Sequence, residues 1–254
     1  MACMKVICFK DEDEGKAGGQ QAILAELKKI QLNENESFIR PDIQTADSKA
    51  ADAMAKLKNA LMSGSRLSII GGDHSNTYDC VNALSEVSGN NGQVGLLIFD
   101  AHPDCRPNYK GQKDWLRKLI DEKIIEPQNV VIAGIRNVLT EEHGYLVQHK
   151  IRVFPMKNLA ADGIDDFCDT LMENVRQWKS AYISIDMDAI DPAFAPDVEA
   201  PEPGGFAARE ILSIVQRLRN LRNIKVVDVC EVLGQKDSEN ITARLAAKLM
   251  SEFY

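Results

Sequence analysis

The sequence predicts an α/β protein, a three-layer α/β/α sandwich with a mainly parallel central sheet. Short apolar runs alternate with helical patterns along the chain, which is typical of a parallel sheet with helices on both faces. The runs are apolar at nearly every position, as expected for strands buried on both sides. No internal repeat, low-complexity segment or linker divides the 254 residues, so we expect one domain over residues 1–254.

The individual elements follow from the same alternation. The apolar runs predict strands at Lys5–Phe9, Arg66–Ile70, Val94–Phe99, Val130–Gly134, Arg152–Phe154, Ala181–Ile185 and Lys225–Val229. The stretches between them predict helices at Gln20–Ile30, Lys49–Met62, Thr77–Val87, Trp115–Glu122, Ile164–Trp178, Ala207–Leu218 and Asn240–Phe253.

The composition argues against several classes of partner. The formal net charge is -8 and no dense block of Lys and Arg is present, so nucleic acid and anionic membranes are poor partners. Charged residues interrupt every apolar run before it reaches the length of a membrane-spanning helix. The segment Met1–Lys10 does not resemble a secretory signal, and the six scattered cysteines indicate reduced thiols. We therefore expect a cytoplasmic protein.

Three of the predicted strands end in acidic and histidine residues. These segments are Leu67–Ser75, Leu96–Asp104 and Tyr182–Asp188. In open parallel sheets, ligands bind in the crevice outside the carboxyl ends of the strands, so one crevice can collect all three clusters. One cluster alone could be a turn or a helix cap, but three at matching strand ends favour a shared site.

The spacing within the clusters indicates a metal centre. Asp100, His102 and Asp104 occupy alternate positions, as do Asp186 and Asp188, and alternate side chains of an extended chain project to the same side. The carboxylates would repel one another in an empty pocket, and two divalent cations would balance four of them. Ligands of this type without thiolate suit Mn²⁺. The predicted ligands are His74, Asp100, His102, Asp104, Asp186 and Asp188.

The same residues carry a resemblance to a known family. The runs Gly71–Ser75, Asp100–Asp104 and Ser184–Pro192 resemble the three metal-binding signatures of the ureohydrolases, which include arginase, agmatinase, guanidinobutyrase and formimidoylglutamase. Further similar runs are Gly134–Arg136, Glu202–Gly205 with Arg209 and Glu210 after it, and Val227–Val232. The resemblance extends from about Leu67 to Tyr254, with the motifs in the family's order.

The resemblance implies a role for each matching residue. One Mn²⁺ would be held by His74, Asp100, Asp104 and Asp186. The other would be held by Asp100, His102, Asp186 and Asp188. The two ions would lower the pKa of a shared water, giving a hydroxide that attacks the guanidinium carbon. Asp104 would pass the proton to the leaving amine, and Glu231 would bind the guanidinium through paired charged hydrogen bonds.

The chain departs from the family pattern in the loop Cys105–Trp115. Most family members carry a His-Gly pair there, whereas this loop contains no histidine. Asn137 stands where arginases have an acid that holds the substrate's α-amino group. Both features argue against a standard arginase, and the run Glu202–Gly205 favours agmatinase-like relatives. Within the loop, we expect Arg106 and Asn108 to contact the substrate, because the guanidinium fork of Arg106 suits a carboxylate.

The leading hypothesis is a Mn²⁺-dependent hydrolase that cleaves a C–N bond of a small cationic guanidino or amidino compound. The resemblance also implies a homo-oligomer, a trimer or a hexamer. The alternative is a metal-binding relative with weakened catalysis that acts as a binding or assembly subunit. A zinc deacetylase of the related fold is a weaker alternative, because such enzymes carry a His-His pair and this sequence has none.

Overall fold

The computed structural model describes residues 3–10, 17–30, 40–47, 51–89, 93–107 and 113–254. Within them the strands are β1 Cys3–Lys10, β2 Arg40–Asp47, β3 Leu67–Ile70, β4 Val94–Phe99, β5 Val130–Ile135, β6 Arg152–Pro155, β7 Ser180–Asp186 and β8 Ile224–Cys230. The helices are α1 Ala17–Lys29, α2 Ala51–Met62, α3 Asn76–Val87, α4 Trp115–Asp121, α5 Thr140–Gln148, α6 Met156–Asp162, α7 Ile164–Arg176, α8 Ala208–Leu218 and α9 Ile241–Glu252.

All eight described strands form one sheet in the order β2-β1-β3-β8-β7-β4-β5-β6. Every neighbouring pair is parallel. The predicted strands are all present. The sequence interpretation lacked β2 and α6, and it expected a helix around His143 and His149 without giving the bounds that α5 has. The strand β2 lies at the edge of the sheet and alternates between exposed and partly buried side chains, so it has no continuous apolar run.

Helices cover both faces of the sheet, and each face has its own apolar core. On one face, α1, α7, α8 and α9 supply buried side chains such as Ile23, Leu171, Ile214 and Ala246. On the other face, α2, α3, α4 and α5 supply buried side chains such as Leu57, Val81, Leu116 and Leu146. This arrangement confirms the predicted three-layer sandwich. In the described part of the chain, none of the helices combines the length and the apolar character that crossing a bilayer requires.

The strand order determines where the predicted site residues meet. In the sheet, β2 lies on the outer side of β1, whereas β5 and β6 lie on the opposite outer side, beyond β4. The direction in which successive strands are added to the sheet therefore reverses near its middle. In open α/β sheets such a change opens a crevice at the carboxyl ends of the strands. The four middle strands β3, β8, β7 and β4 are adjacent, and the segments that follow them meet at this crevice.

Candidate metal centre

Each of the four middle strands is followed by, or ends in, a residue that the sequence predicted for the site or for substrate binding. Asp100 directly follows β4, Asp186 is the last residue of β7, and Glu231 directly follows β8. His74 lies in the turn that joins β3 to α3. All four are buried, with at most 5% of the residue surface exposed, so the crevice collects carboxylates and an imidazole in a site largely closed to solvent.

The turn after β3 is hydrogen-bonded to the end of β8. The backbone N–H of Gly71 donates to the carbonyl of Val229 at 2.9 Å, and the N–H of Glu231 donates to the carbonyl of Gly72 at 2.9 Å. The N–H of His74 then donates to Oε1 of Glu231 at 2.8 Å. These bonds join two strands that are far apart in sequence and hold His74 next to Glu231.

The segment after β4 is held against β5. The N–H of Asp100 donates to the carbonyl of Ala133 at 3.0 Å. Gly134 adopts φ +105, and a Cβ added to it would lie 3.0 Å from the carbonyl oxygen of Asp100, so this close approach requires glycine. The N–H of His102 donates to Oδ1 of Asp100 at 2.6 Å, which turns the chain sharply after the strand.

The segment after β7 is a short 3₁₀ turn, Met187–Ala189, rather than an extended chain. The N–H of Asp188 donates to Oδ1 of Asp186 at 2.8 Å. Oδ1 of Asp188 accepts the N–H of Ala101 at 3.1 Å, and its Oδ2 lies 2.9 Å from Nδ1 of His102. The side chains therefore converge as expected, but the assumption of an extended chain with alternating projection was wrong here, because a turn brings them together.

Asp104 and Glu231 both adopt left-handed backbone conformations, with φ of +47 and +65. Such conformations are uncommon for residues other than glycine and concentrate at functional sites, where the surroundings hold them. Part of that support is Trp115, whose Nε1–H donates to Oδ2 of Asp104 at 2.9 Å and whose ring lies 4.6 Å from that of His74. The strained backbone marks both residues as functional candidates.

One imidazole nitrogen at the centre faces three carboxylates. Nδ1 of His74 lies 3.1 Å from Oδ2 of Asp100, 3.2 Å from Oδ2 of Asp104 and 3.2 Å from Oδ2 of Asp186. Nδ1 of His74, Oδ2 of Asp100 and Oδ1 of Asp104 are buried without a hydrogen bond. Buried polar atoms without a partner are costly, and a cation among these oxygens and nitrogens would satisfy them together. The residues present therefore fit a divalent metal ion.

The potential ligands form overlapping groups. Within each group, one candidate ligand atom per residue lies within 4.8 Å of the others. The groups found among the described residues are His74, Asp100 and Asp104; Asp100, His102 and Asp188; and His74, Asp186 and Cys230. Asp100 belongs to the first two groups, which is the arrangement that a carboxylate shared between two ions requires. The third group contains a thiol that the sequence interpretation did not assign to the site.

The carboxylates around His74 and His102 shift the pKa values of both histidines. Burial lowers the pKa of His102, but Asp100 and Asp188 raise it more, to about 11. The pKa of His74 is also raised, because Cys230 and the surrounding carboxylates outweigh its burial. Metal ligation requires neutral imidazoles, so protons and a metal ion compete for the ring nitrogens.

A buried network behind His74 orients its ring. Nε2 of His74 lies 2.9 Å from Oγ of Ser184, which donates to Oδ1 of Asp228 at 2.6 Å. Oδ2 of Asp228 accepts the hydroxyls of Thr77 and Tyr182. The network leaves Nδ1 of His74 directed at the carboxylates. Ser184 precedes Asp186 by two residues, so the alternation in β7 was a signal for its position that sequence reasoning missed.

Asp228→Asn is expected to weaken binding of divalent metal by about 10- to 100-fold, the usual effect of losing such an outer partner. The amide would replace one of the two accepting oxygens with a donor, so either Ser184 or the hydroxyls of Thr77 and Tyr182 would lose their acceptor. The network behind His74 would then loosen. Equilibrium dialysis with Mn²⁺ measures the change. Asp165→Asn, at a residue that is 91% exposed by side chain, is the control. Unchanged affinity in Asp228→Asn would show that the network does not support the site.

Two of the predicted substrate residues, Arg106 and Asn108, follow Asp104 in the sequence. Nε of Arg106 lies 3.9 Å from Oε1 of Glu142, and its backbone N–H donates to the carbonyl of Lys113 at 2.8 Å. Asn108 lies outside the described residues. Nζ of Lys113 lies 3.8 Å from Oδ1 of Asp104, so this segment directs the positively charged lysine side chain towards the carboxylates. Arg106 therefore lies next to Glu142 of α5, two residues after Asp104.

Asn137 and its neighbour Arg136 contact the Glu202–Gly205 run. Nη2 of Arg136 donates to the carbonyl oxygens of Asp188 and Glu202, each at 2.6 Å, and the side-chain amide of Asn137 donates to Oε1 of Glu202. Arg136 therefore ties this run to the turn that carries Asp188. The same Oε1 of Glu202 lies 3.7 Å from Nε2 of His102, so the run forms part of the crevice wall.

Comparison with known proteins shows the family of this chain. The model of the arginase family matches residues 14–254. This chain belongs to the arginase family. The predicted resemblance to the ureohydrolases, which rested on the motifs after Leu67, is thereby confirmed, and the match extends further towards the N-terminus.

Individual members of the arginase family show how far the similarity reaches. Proclavaminate amidinohydrolase of Streptomyces clavuligerus is 34% identical over 206 residues, which cover 79% of this chain and 64% of that protein. The mitochondrial guanidino acid hydrolase of Homo sapiens is 35% identical over 192 residues, which cover 72% of this chain and 52% of that protein. The chain thus spans between half and two thirds of these relatives. The crystal structure of arginase from Bacillus cereus has a TM-score of 0.85 over 100% of this chain and 98% of that one, at 20% identity, and shares the fold.

Proposed function

We propose that this arginase-family protein is a binuclear Mn²⁺ hydrolase that cleaves a C–N bond of a guanidino or amidino compound. The observation that carries the proposal is the buried His74 Nδ1, which faces three carboxylates while atoms of two of them lack hydrogen bonds. Oxygen and imidazole ligands of this kind suit Mn²⁺. Membership of the arginase family supports the reaction class.

The proposed ligands are the six residues that meet at the crevice. The first ion would be held by His74, Asp100, Asp104 and Asp186, and the second by Asp100, His102, Asp186 and Asp188. When bound, the two ions would supply Lewis-acid activation of a water molecule near neutral pH. The residues of the chain then have to bind the guanidinium, orient it and move a proton.

Glu231 is the proposed guanidinium-binding residue. It is 5% exposed, and its Oε1 accepts the N–H of His74, which fixes the carboxylate beside the metal cluster. Burial raises the pKa of Glu231 to about 8, and a bound guanidinium would favour the ionised form. Paired charged hydrogen bonds to this carboxylate would hold the planar guanidinium in one orientation.

Asp104 is the proposed proton carrier. Its Oδ2 accepts the indole N–H of Trp115, whereas its Oδ1 is buried without a hydrogen bond and lies on the side of Lys113. Oδ1 can therefore take the proton that the attacking water loses and pass it to the departing amine. Water adds to the guanidinium carbon, the C–N bond breaks, and urea and an amine leave.

The run Glu202–Gly205 supports an agmatinase-like enzyme, and the loop Cys105–Trp115 and Asn137 argue against a standard arginase. The loop Cys105–Trp115 has no histidine, and Asn137 binds Glu202 instead of supplying an acid. We propose a substrate with a carboxylate away from its reacting end, recognised by Arg106 with Asn108. The name of the human relative, guanidino acid hydrolase, describes a substrate of this chemistry for that protein. Arginine and agmatine would then be poor substrates.

A urea-release assay over a panel of guanidino compounds tests the proposal. The panel contains arginine, agmatine and guanidino acids of several lengths, each measured as kcat/KM with Mn²⁺-loaded protein. Urea release is expected from at least one compound. Metal binding with no release from any of them would favour the alternative of a metal-binding subunit with weakened catalysis. The proposed homo-oligomer, a trimer or a hexamer, and the cytoplasmic location stay predictions.

Arg106→Ala is expected to lower kcat/KM for a guanidino acid by about tenfold or more, since a hydrogen bond to a charged group contributes about 1.5–3 kcal/mol. The effect on agmatine, which has no carboxylate, should be small. Arg176→Ala is the matched control, because Arg176 is an exposed arginine in the last turn of α7. Equal losses on both substrates, or efficient arginine hydrolysis unaffected by Arg106→Ala, would contradict this role.

A further inference from the structure

A buried thiol lies beside the proposed metal centre, and none of the proposed Mn²⁺ ligands is a thiol. Cys230 is the last residue of β8 and is 1% exposed. It stands directly opposite Asp186 in the register of the β7–β8 pair. Its Sγ lies within 4.8 Å of a ligand atom of Asp186 and of a ligand atom of His74.

Cys230 packs against the turn that carries His74. Gly71 begins this turn, and a Cβ added to it would lie 3.3 Å from Cβ of Cys230, so the two chains pack closely. Sγ of Cys230 is 3.7 Å from the carbonyl oxygen of Ile185. A contact of a thiol at that distance is a weak hydrogen bond and leaves the sulfur lone pairs available.

A second observation points to a ligand at this position. Nδ1 of His74 is fully buried and makes no hydrogen bond, while Nε2 is engaged by Ser184. Nδ1 lies 3.2 Å from Oδ2 of Asp186. A His74 nitrogen, a carboxylate oxygen of Asp186 and the sulfur of Cys230 therefore lie within 4.8 Å of one another in a buried place. Nδ1 of His74 makes no hydrogen bond there, so a cation would satisfy it.

We propose that His74, Asp186 and Cys230 form an alternative site for a thiophilic divalent cation such as Zn²⁺. Thiolate, imidazole and carboxylate are all ligands of Zn²⁺, and the thiolate distinguishes this group from the oxygen-rich set that suits Mn²⁺. On binding, the S–H bond of Cys230 breaks, a sulfur–metal bond forms and the proton passes to solvent. Because His74 and Asp186 belong to both sets, a cation in this site excludes Mn²⁺ from the first position.

Cobalt substitution tests the proposal without any substrate. Co²⁺ bound to a thiolate absorbs strongly in the near ultraviolet through charge transfer from sulfur, whereas oxygen and nitrogen ligands do not produce this band. Metal-free wild-type protein titrated with Co²⁺ is expected to show the band. Cys230→Ala is expected to lack it, and Cys105→Ala should retain it, because Cys105 is equally buried but contacts the carbonyl of Glu142 instead.

Three results would overturn the proposal: no Co²⁺ binding by the wild type, binding without the band, or the same band in Cys230→Ala. A second measurement compares affinities for Zn²⁺ and Mn²⁺. Cys230→Ala should weaken Zn²⁺ binding by about tenfold or more, while Mn²⁺ binding changes much less. Equal loss of both ions would show that Cys230 only supports the local packing. Urea release does not enter these readouts, so their failure is distinguishable from failure of the proposed hydrolysis.

Discussion

Replacing Asp100 with alanine is expected to remove both metal ions and abolish turnover. Asp100 belongs to two of the ligand groups, with Oδ2 at 3.1 Å from His74 Nδ1 and Oδ1 at 3.6 Å from His102 Nδ1. Losing an outer partner typically costs about 10- to 100-fold in metal affinity, and a ligand shared by two ions should cost more. Elemental analysis after dialysis should find close to two Mn²⁺ per chain in the wild type and almost none in the variant.

The control has to separate loss of metal from loss of fold. Oδ1 of Asp100 also accepts the N–H of His102, so Asp100→Ala removes a structural hydrogen bond as well. Asp100→Asn keeps this acceptor and the size of the side chain while removing the charge. Circular dichroism of both variants and the metal content of Asp121→Ala, at an exposed aspartate on α4, complete the comparison. Full metal content in Asp100→Asn and Asp100→Ala would show that the ligand assignment is wrong.

Glu231→Gln is expected to lower kcat/KM by about 10²-fold or more, because removing one partner of a buried charge pair costs about 2–5 kcal/mol. The glutamine oxygen can still accept the N–H of His74, so the turn after β3 should remain in place. Metal content should therefore stay at the wild-type value while turnover falls. Urea release and elemental analysis on the same preparation measure both quantities.

The matched control for Glu231→Gln is Glu173→Gln, at an exposed glutamate on α7 away from the crevice. It should change neither activity nor metal content. A Glu231→Gln protein as active as the wild type would show that Glu231 lies outside the reacting centre. Loss of metal together with activity would show that it supports the metal ligands instead of binding the guanidinium.

The sequence predicted those elements whose buried side chains form a regular run of apolar residues. The run Val94–Phe99 is buried at every residue, and its apolar sequence predicted it as a strand. In contrast, β2 is an edge strand that begins with Arg40 and Pro41 and needs no apolar face on both sides, so its sequence gave no such pattern. The short helix α6 follows directly on β6, and its seven residues are too few for a clear helical periodicity.

The site was predictable only as far as it depends on strand ends. Asp100 and Asp186 follow apolar strands, and any parallel sheet brings such ends to one edge. The contacts of Ser184 with Asp228, and of Asp186 with Cys230, require that β7 lie beside β8, which is a long-range pairing that no local pattern encodes. For the same reason the thiol could be placed in the site only from the structure.

The most direct test of the proposed function is hydrolysis in ¹⁸O-labelled water. Mn²⁺-loaded wild-type protein is incubated with a guanidino acid, and the urea formed is analysed by mass spectrometry. The proposed reaction predicts one ¹⁸O atom in the urea, a yield that depends on Mn²⁺, and no urea with Asp100→Ala. The absence of urea from every compound of the panel, in protein that carries two Mn²⁺ per chain, would contradict it.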